Sequence, residues 1–195
     1  EGKFHQLILC CPVTFNAFKI LVGTLTVQSI NILEAKIFLR KDGIIIISAN
    51  IEETEKTIAG KLEIWKTLKK DLSNIFNGHE NLSNLLAQRT RYISEKRTTV
   101  AITPKVKVDN ASDPNFSIVR IEARDHLGML YKISKVFSDL DIRIHSAKVS
   151  TQGGRGIDVF YVSHQNKKIL FEKLVRRTKE KIISAMMVKN PEELG

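Results

Sequence analysis

The sequence predicts an α+β fold of two similar modules, each with a four-stranded antiparallel sheet and with its helices on one face. Sliding the chain against itself by 112 positions brings apolar residues of its two halves into register, which indicates a duplicated unit. Each half also shows the same order of strand, helix, strand, strand and helix patterns. The aligned pairs are Phe4 with Phe116, Leu21 with Ile133, Leu25 with Phe137, Ile30 with Ile142, Ile32 with Ile144, and Ala35-Lys36 with Ala147-Lys148.

The second half carries the clearer pattern. Alternating residues predict strands, and apolar residues at helical spacing, such as Leu130, Ile133 and Phe137, predict an amphipathic helix. The predicted elements are a strand over residues 116–123, a helix over 127–140, hairpin strands over 142–150 and 157–164 joined by a turn over 152–156, and a helix over 169–186.

One strand is needed to complete this unit, because a split β-α-β arrangement has a fourth strand beside its first. The sequence after Met186 leaves little room for it, whereas residues 100–108 show an extended pattern. We therefore expect residues 105–109 to fold back and to pair antiparallel with residues 116–123. The second half would then form a complete ferredoxin-like sheet.

The first half repeats the order of elements. Strands are predicted over residues 4–11, 30–40 and 44–51, with a helix over 16–27 and a turn at Lys41-Asp42-Gly43. A long helix follows the acidic stretch 51–55, and a further helix is predicted over 82–94. These patterns divide the chain into a first module (1–78), a helical and extended linker (79–104) and a second module (105–190).

Composition is typical of a globular protein, with 195 residues, 43% hydrophobic and 27% charged. No apolar run reaches the roughly 20 residues that a membrane-spanning helix needs, and no signal peptide is indicated, so we expect a cytoplasmic protein without a membrane partner. The adjacent Cys10 and Cys11 point to opposite faces of a strand, which disfavours a disulfide or a zinc site and favours packing.

The net charge of +10 favours acidic partners. One alternative is therefore a basic module that binds nucleic acid or an acidic protein surface through Arg89, Arg91, Lys96, Arg97 and the helix around residues 173–181. Nucleic acid is not favoured, because aromatic residues are not interleaved with these basic ones. A second alternative is a module for oligomerisation, since exposed sheet edges pair readily.

The sequence shows none of the common catalytic motifs. It has no GxSxG, no GxxxxGK[ST], no His-Asp pair and no nucleotidyl-transfer acid pair after Gly-Ser. The glycine-rich residues 153–156 join two strands, so they predict a hairpin turn and not a phosphate-binding loop. We therefore expect no enzymatic activity from this segment, no cofactor and no metal site.

The loop "ARDHLGML", residues 123–130, has the composition of an amino-acid site. Gly128 at the start of a helix would let a carboxylate approach backbone N–H groups, where the helix dipole favours an anion. Asp125, three residues earlier, could hold an ammonium group. The alternative is that Asp125 only caps the helix and Gly128 only relieves crowding.

The second half resembles the ACT domains, small regulatory modules that bind amino acids. Residues 124–140, "RDHLGMLYKISKVFSDL", are similar to the D-R-P-G-L-L loop and helix of that family, and residues 146–162 are similar to its second hairpin. Residues 106–112 resemble the V-x-V-D-N-x-A-S segment between the two ACT domains of bacterial bifunctional PII uridylyltransferases/uridylyl-removing enzymes. The resemblance extends over nearly the whole chain.

This resemblance implies the C-terminal regulatory region of such an enzyme, which senses glutamine for the control of nitrogen assimilation. The implied partners are L-glutamine, the catalytic domains, the PII protein and a further copy of the chain, while Mg²⁺ and UTP would serve the catalytic part. A facing module could close the glutamine site with its second strand. The implied ligand-binding residues are Asp125, His126, Leu127, Gly128, Met129 and Leu130.

The corresponding loop of the first half departs from the family pattern. Val13 and Asn16 stand where the second loop has Asp125 and Gly128. Valine cannot hold an ammonium group, and asparagine is bulkier at a position of close approach. We therefore expect the two modules to bind asymmetrically, with a degenerate first site.

Overall fold

The computed structural model describes residues 4–12, 16–52, 61–90, 103–152 and 155–187. The strands are β1 (Phe4–Pro12), β2 (Ile32–Leu39), β3 (Ile44–Glu52), β4 (Lys105–Asp109), β5 (Ser117–Arg124), β6 (Ile142–Lys148), β7 (Thr151–Gln152) and β8 (Arg155–His164). The helices are α1 (Ala17–Val27), α2 (Lys61–Phe76), α3 (Leu82–Thr90), α4 (Met129–Asp139) and α5 (Glu172–Met187).

The strands of the described residues form one antiparallel sheet in the order β1-β3-β2-β6-β8-β5-β4, with the short β7 beside β8. The predicted α+β fold with antiparallel strands is confirmed, and the second half has its four strands, but the strands of both halves belong to one sheet. Residues 4–52 contribute three strands, and the edge strand β2 of this half pairs with the edge strand β6 of the other. Joining the two edges satisfies backbone groups that would otherwise be exposed.

The predicted strand β4 is confirmed. It pairs antiparallel with β5, from Lys105 opposite Glu122 to Asp109 opposite Ile118. Asp109 accepts hydrogen bonds from the backbone N–H groups of Ala111 and Ser112, which fixes the turn that leads back to β5. This part of the segment that resembles the family motif therefore has a structural role.

The joint between the halves is symmetric. Ala35 of β2 lies opposite Ala147 of β6, and these two residues are equivalent in the repeat because they are 112 positions apart. Their neighbours follow the same symmetry, with Glu34 opposite Lys148 and Lys36 opposite Ser146. A local two-fold axis consequently passes between Ala35 and Ala147.

One core joins both halves. Buried residues alternate along the strands, as in β3 and β8, and form a single cluster with apolar residues of the helices. The largest buried side chains include Leu21, Ile47, Phe137 and Phe160. The paired edges at β2 and β6 are thus covered by shared packing.

At two equivalent positions, the two halves carry a small and a large side chain in opposite order. Ala17 begins α1 and Met129 begins α4 at equivalent positions of the repeat, and both are buried. Beneath them, Ile45 of β3 corresponds to Gly156 of β8, since each lies opposite an equivalent residue of the neighbouring strand. A Cβ atom on Gly156 would lie 3.2 Å from Cε of Met129. The first half therefore has the small residue on its helix and the large one on its strand, and the second half has the reverse.

Several predicted boundaries differ from the structure. Helix α4 begins at Met129, two residues later than predicted, because Gly128 has φ +85° and cannot be helical. Strand β6 ends at Lys148 and β2 begins at Ile32. The first turns predicted for α2, the end of α3 beyond Thr90 and the residues after Met187 lie outside the described residues. The division into modules at residues 78 and 105 stays a prediction.

The cysteines are unpaired in the described part of the chain. Cys10 is exposed and Cys11 is half-buried, which agrees with neighbouring residues on opposite faces of β1. Only Cys11 packs against the core, so the expected packing role holds for one of the two.

Candidate functional site

A small cavity of about 20 Å³, open to solvent, lies where the two halves meet. All six predicted site residues line it, from Asp125 to Leu130. The opposite wall comes from the first half, through the end of α1 and the start of β2. The remaining lining residues are Val22, Thr26, Ile30, Asn31, Ile32, Val149 and Asp158.

The position of the predicted loop follows from the two-fold joint. Because residues 34–36 of β2 pair with residues 146–148 at the end of β6, the loop before α4 comes to face the residues that enter β2. Residues 30–32 adopt this position after Ser29, which has φ +58° and ends the turn from α1. The start of β2, the second strand of the first half, thus forms one wall of this cavity.

Gly128 meets two requirements at once. Its φ of +85° lies in the left-handed region that favours glycine, and a Cβ atom there would lie 3.2 Å from Cγ2 of Thr26. The residue relieves crowding against α1, as the alternative interpretation expected. Gly128 also lines the cavity, so its position would allow a ligand to approach the backbone there.

The backbone of this loop is fixed by local hydrogen bonds. Met129 donates its N–H to the carbonyl oxygen of His126 (3.1 Å), and Nδ1 of His126 lies 3.0 Å from the carbonyl oxygen of Arg124. The next N–H groups of the first helical turn have no partner within a helix, which makes this end suited to an anion. The side chain of Met129 is buried over Gly156.

Asp158 is a lining residue that the sequence analysis missed. It lies on β8, is only 2% exposed, and its Oδ1 atom has no hydrogen-bond partner among the described residues. Loss of solvent, and secondarily the charge of Asp125, raise the pKa of Asp158 to about 7, although a hydrogen bond from the backbone of Ser150 opposes the shift. A signal for it was present, because Asp158 alternates with Phe160 and Val162 on the inward face.

A second cavity is related to the first by the local two-fold axis. Its lining includes Phe18, Lys19, Ser138 and Arg143, which correspond in the repeat to Leu130, Tyr131, Thr26 and Asn31, residues at or beside the first cavity. This cavity lies beside the loop of the first half, and the degenerate first site stays a prediction.

Polar contacts within the chain engage this second cavity. The hydroxyl group of Ser138 donates to Oδ1 of Asn16 (2.6 Å), and Nζ of Lys19 donates to the same hydroxyl oxygen (3.1 Å). Asn16 has φ −102° and ψ 4°, so the loop of the first half does not copy the backbone of Gly128. Val13 lies outside the described residues.

The residues of the basic alternative are only partly described. Arg91, Lys96, Arg97 and the side chain of Arg89 lie outside the description, while Lys173, Arg176, Arg177 and Lys181 are exposed on α5. Within the described residues there is no group of three or more His, Cys, Asp or Glu side chains able to hold a metal ion. Among the described helices, none has the length and apolar character needed to cross a membrane.

Comparisons with known proteins identify the relatives of the chain. Residues 105–190 match the family model described as "ACR9-like, ACT-like domain". The chain is 30% identical over 162 residues to the bifunctional uridylyltransferase/uridylyl-removing enzyme of Rhodospirillum rubrum, a match that covers 83% of this chain and 17% of that enzyme. It is 25% identical over 173 residues to the enzyme of the same name from Azospirillum brasilense, with 87% and 18% covered.

The chain therefore spans less than a fifth of the length of these relatives. Among solved structures, protein BT0572 from Bacteroides thetaiotaomicron matches with 14% identity over 94% of this chain and 95% of that one, at a TM-score of 0.28 that supports no further argument. Residues 105–190 are thus similar to ACT-like domains, and most of the chain is similar to a segment of the bifunctional uridylyltransferase/uridylyl-removing enzymes.

Proposed function

We propose that this chain is the glutamine-sensing regulatory region of a PII uridylyltransferase/uridylyl-removing enzyme, built from two ACT modules. The observation that carries the proposal is the cavity between the halves, in which residues Asp125 to Leu130 face the start of β2. The relationship of the chain to enzymes of that name supports the choice of parent protein.

The cavity offers complementary groups for the two charges of a free amino acid. The N-terminus of α4 favours the α-carboxylate, because its first-turn N–H groups and the helix dipole attract an anion. The carboxylate of Asp125 favours the α-ammonium group. The wall formed by residues 30–32 is then left for the side chain of glutamine.

A ligand in this position would touch both halves of the sheet. It would therefore favour the arrangement in which the loop before α4 and the start of β2 are close together. If the catalytic domains bind this arrangement differently, glutamine shifts the enzyme from attachment of UMP to PII toward its removal. A coupling on the order of 1–3 kcal/mol is typical of such linkage.

The proposed partners follow from this role. PII and the catalytic domains would contact the region, and a second copy could associate with it, whereas Mg²⁺ and UTP would act only in the catalytic domains. Uridylylation of PII by the longer enzyme should fall when glutamine is added. A parent enzyme with Asp125→Asn should require more glutamine for the same inhibition.

Isothermal titration of the chain with L-glutamine tests the binding step. We expect saturable binding that weakens at least tenfold in Asp125→Asn, because the variant loses the charge that attracts the ammonium group. Glu172→Gln, which removes one negative charge from the exposed first turn of α5, is the matched control and should bind as the parent chain does. Absence of saturable heat at millimolar glutamine would refute glutamine sensing by this chain.

A further inference from the structure

Asp158 occupies a position where the fold does not require an acid. It lies in the inward-facing row of β8, between Gly156 and Phe160, and is 2% exposed. A buried carboxylate is costly unless hydrogen bonds or an opposite charge compensate it. Its Oδ1 atom has no partner among the described residues, so their compensation of this carboxylate is incomplete.

The other half of the molecule shows what the fold alone needs here. Asp158 lies opposite Ile121 of β5, and Ile47 lies opposite Leu9 of β1. Leu9 and Ile121 are 112 positions apart, so Ile47 and Asp158 are equivalent in the two halves. Ile47 is fully buried. An apolar residue therefore satisfies the packing at this point of the sheet.

Asp158 shares the cavity with the predicted loop. Both Asp158 and Asp125 line it, so two carboxylates converge on one space. The charge of Asp125 disfavours ionisation of Asp158, in the same direction as burial does. A cation between them would relieve this repulsion and supply the partner that Oδ1 of Asp158 lacks.

We propose that Asp158 is the buried half of a two-carboxylate site for the ammonium group of the ligand, with Asp125 as its more accessible half. This inference deepens the proposed function and rests on it. Apart from the hydrogen bond that it accepts from the backbone of Ser150, Asp158 gives the fold nothing that Ile47 does not supply in the first half. It makes a positively charged nitrogen a condition of binding. A deaminated ligand brings no positive charge to offset the two carboxylates.

Binding of the ligand is then coupled to the release of a proton. Near neutral pH Asp158 is partly protonated, because its pKa is raised to about 7. Binding of an ammonium group ionises it, and the proton passes from the carboxyl group to solvent. Affinity should then rise as the pH increases from about 5.5 to 7.5, by up to tenfold per unit below the pKa.

Other charged groups lie near Asp158 and the cavity. Asp125 and His126 also line the cavity. The cationic residues Arg124 and Arg155 lie opposite each other in the pairing of β5 with β8, at the neighbouring ends of these strands. The N-terminus of α4 adds a positive dipole end.

The test is isothermal titration at several pH values and in two buffers of different ionisation enthalpy. The ligands are L-glutamine and glutaramic acid, which keeps the carboxylate and the amide of glutamine but lacks the ammonium group. We expect the parent chain to bind glutamine with release of a proton and to bind glutaramic acid at least a hundredfold more weakly.

The variants distinguish the possible results. Asp158→Asn should weaken glutamine binding at least tenfold and abolish proton release, while the charge control Glu172→Gln should retain release. Asp158→Ile copies Ile47, and its thermal unfolding shows that the fold is intact when binding is lost. Glutamine binding that is unchanged in Asp158→Asn, with the same proton release, would overturn this inference and leave the proposed function standing. Failure of the parent chain to bind any amino acid would overturn both.

Discussion

Asp158 of β8 and Ile47 of β3 occupy equivalent places in one continuous sheet, each buried opposite an equivalent residue of the neighbouring strand. The local two-fold axis between Ala35 and Ala147 makes this comparison possible within a single chain. One half therefore serves as an internal reference for the other. An equivalent position that is apolar in one half and charged in the other, such as Ile47 and Asp158, is therefore a candidate for a functional role.

Replacement of Asp158 should change how stability depends on pH. Its pKa in the folded chain is about 7, above the ordinary value of 3.8, so the folded state binds more protons than the unfolded state between these values. Its contribution is therefore most favourable below about pH 4, declines as the pH rises, and is fully lost above about pH 7. The total amounts to at most about 4 kcal/mol.

Thermal unfolding of Asp158→Asn and of the parent chain from pH 5 to pH 8 measures this effect. The melting temperature of the variant should exceed that of the parent by an amount that grows with pH. The comparison cancels other groups, such as Asp109, whose pKa is lowered to about 2 by hydrogen bonds from Ser112 and Ala111. A constant difference across the range would contradict a raised pKa for Asp158.

Gly128→Ala should cost stability and affinity together. Both Gly128 and Gly43 have positive φ values, +85° and +79°, but only at Gly128 would a Cβ atom meet a neighbour, Cγ2 of Thr26 at 3.2 Å. Gly43→Ala is thus a matched control for backbone strain, which costs about 1–2 kcal/mol in the left-handed region. The excess loss in Gly128→Ala reports the contact with α1.

Urea unfolding of both variants, combined with glutamine titration, separates the two effects. We expect Gly128→Ala to be the less stable variant and to bind glutamine at least tenfold more weakly, with Gly43→Ala unchanged in affinity. Equal stability losses and equal affinities in the two variants would show that the approach of Gly128 to Thr26 has no consequence.

The exchange of sizes between the halves predicts a rescue. Met129→Ala should destabilise the chain by about 2–4 kcal/mol because it leaves a cavity over Gly156. Gly156→Ile alone would force its side chain against Met129. The double variant recreates the Ala17–Ile45 combination of the first half and should be more stable than the sum of the single losses. A double-mutant cycle with no coupling would contradict the assigned equivalence.

Local patterns were sufficient to predict most of the elements. Alternation and helical spacing are properties of short stretches, so the order of elements and the pairing of β4 with β5 could be predicted. The joint between β2 and β6 could not, because hydrogen bonds between strand edges leave little trace in side-chain patterns. The sequence patterns therefore predicted the strands of each half, but not that these strands share one sheet.

The candidate site was predictable only in part. Asp125 and Gly128 stand out in sequence, since an acid and a glycine precede a helix. Asp158 was overlooked within "DVFYV", although its spacing of two from Phe160 places it on the inward face. Its significance depends on which loop lies above β8, and that relation requires the folded sheet.

The most direct test of the account is to map L-glutamine onto the chain by the amide chemical shifts of the isotopically labelled protein. We predict one saturable set of shifts, at residues 125–130 and 30–32 and at Asp158, with a stoichiometry of one glutamine per chain. Amides near Lys19 and Ser138, in the related cavity, should not show saturable shifts. Equal saturable shifts at both cavities, or none at residues 125–130, would contradict an asymmetric amino-acid site at the joint between the halves.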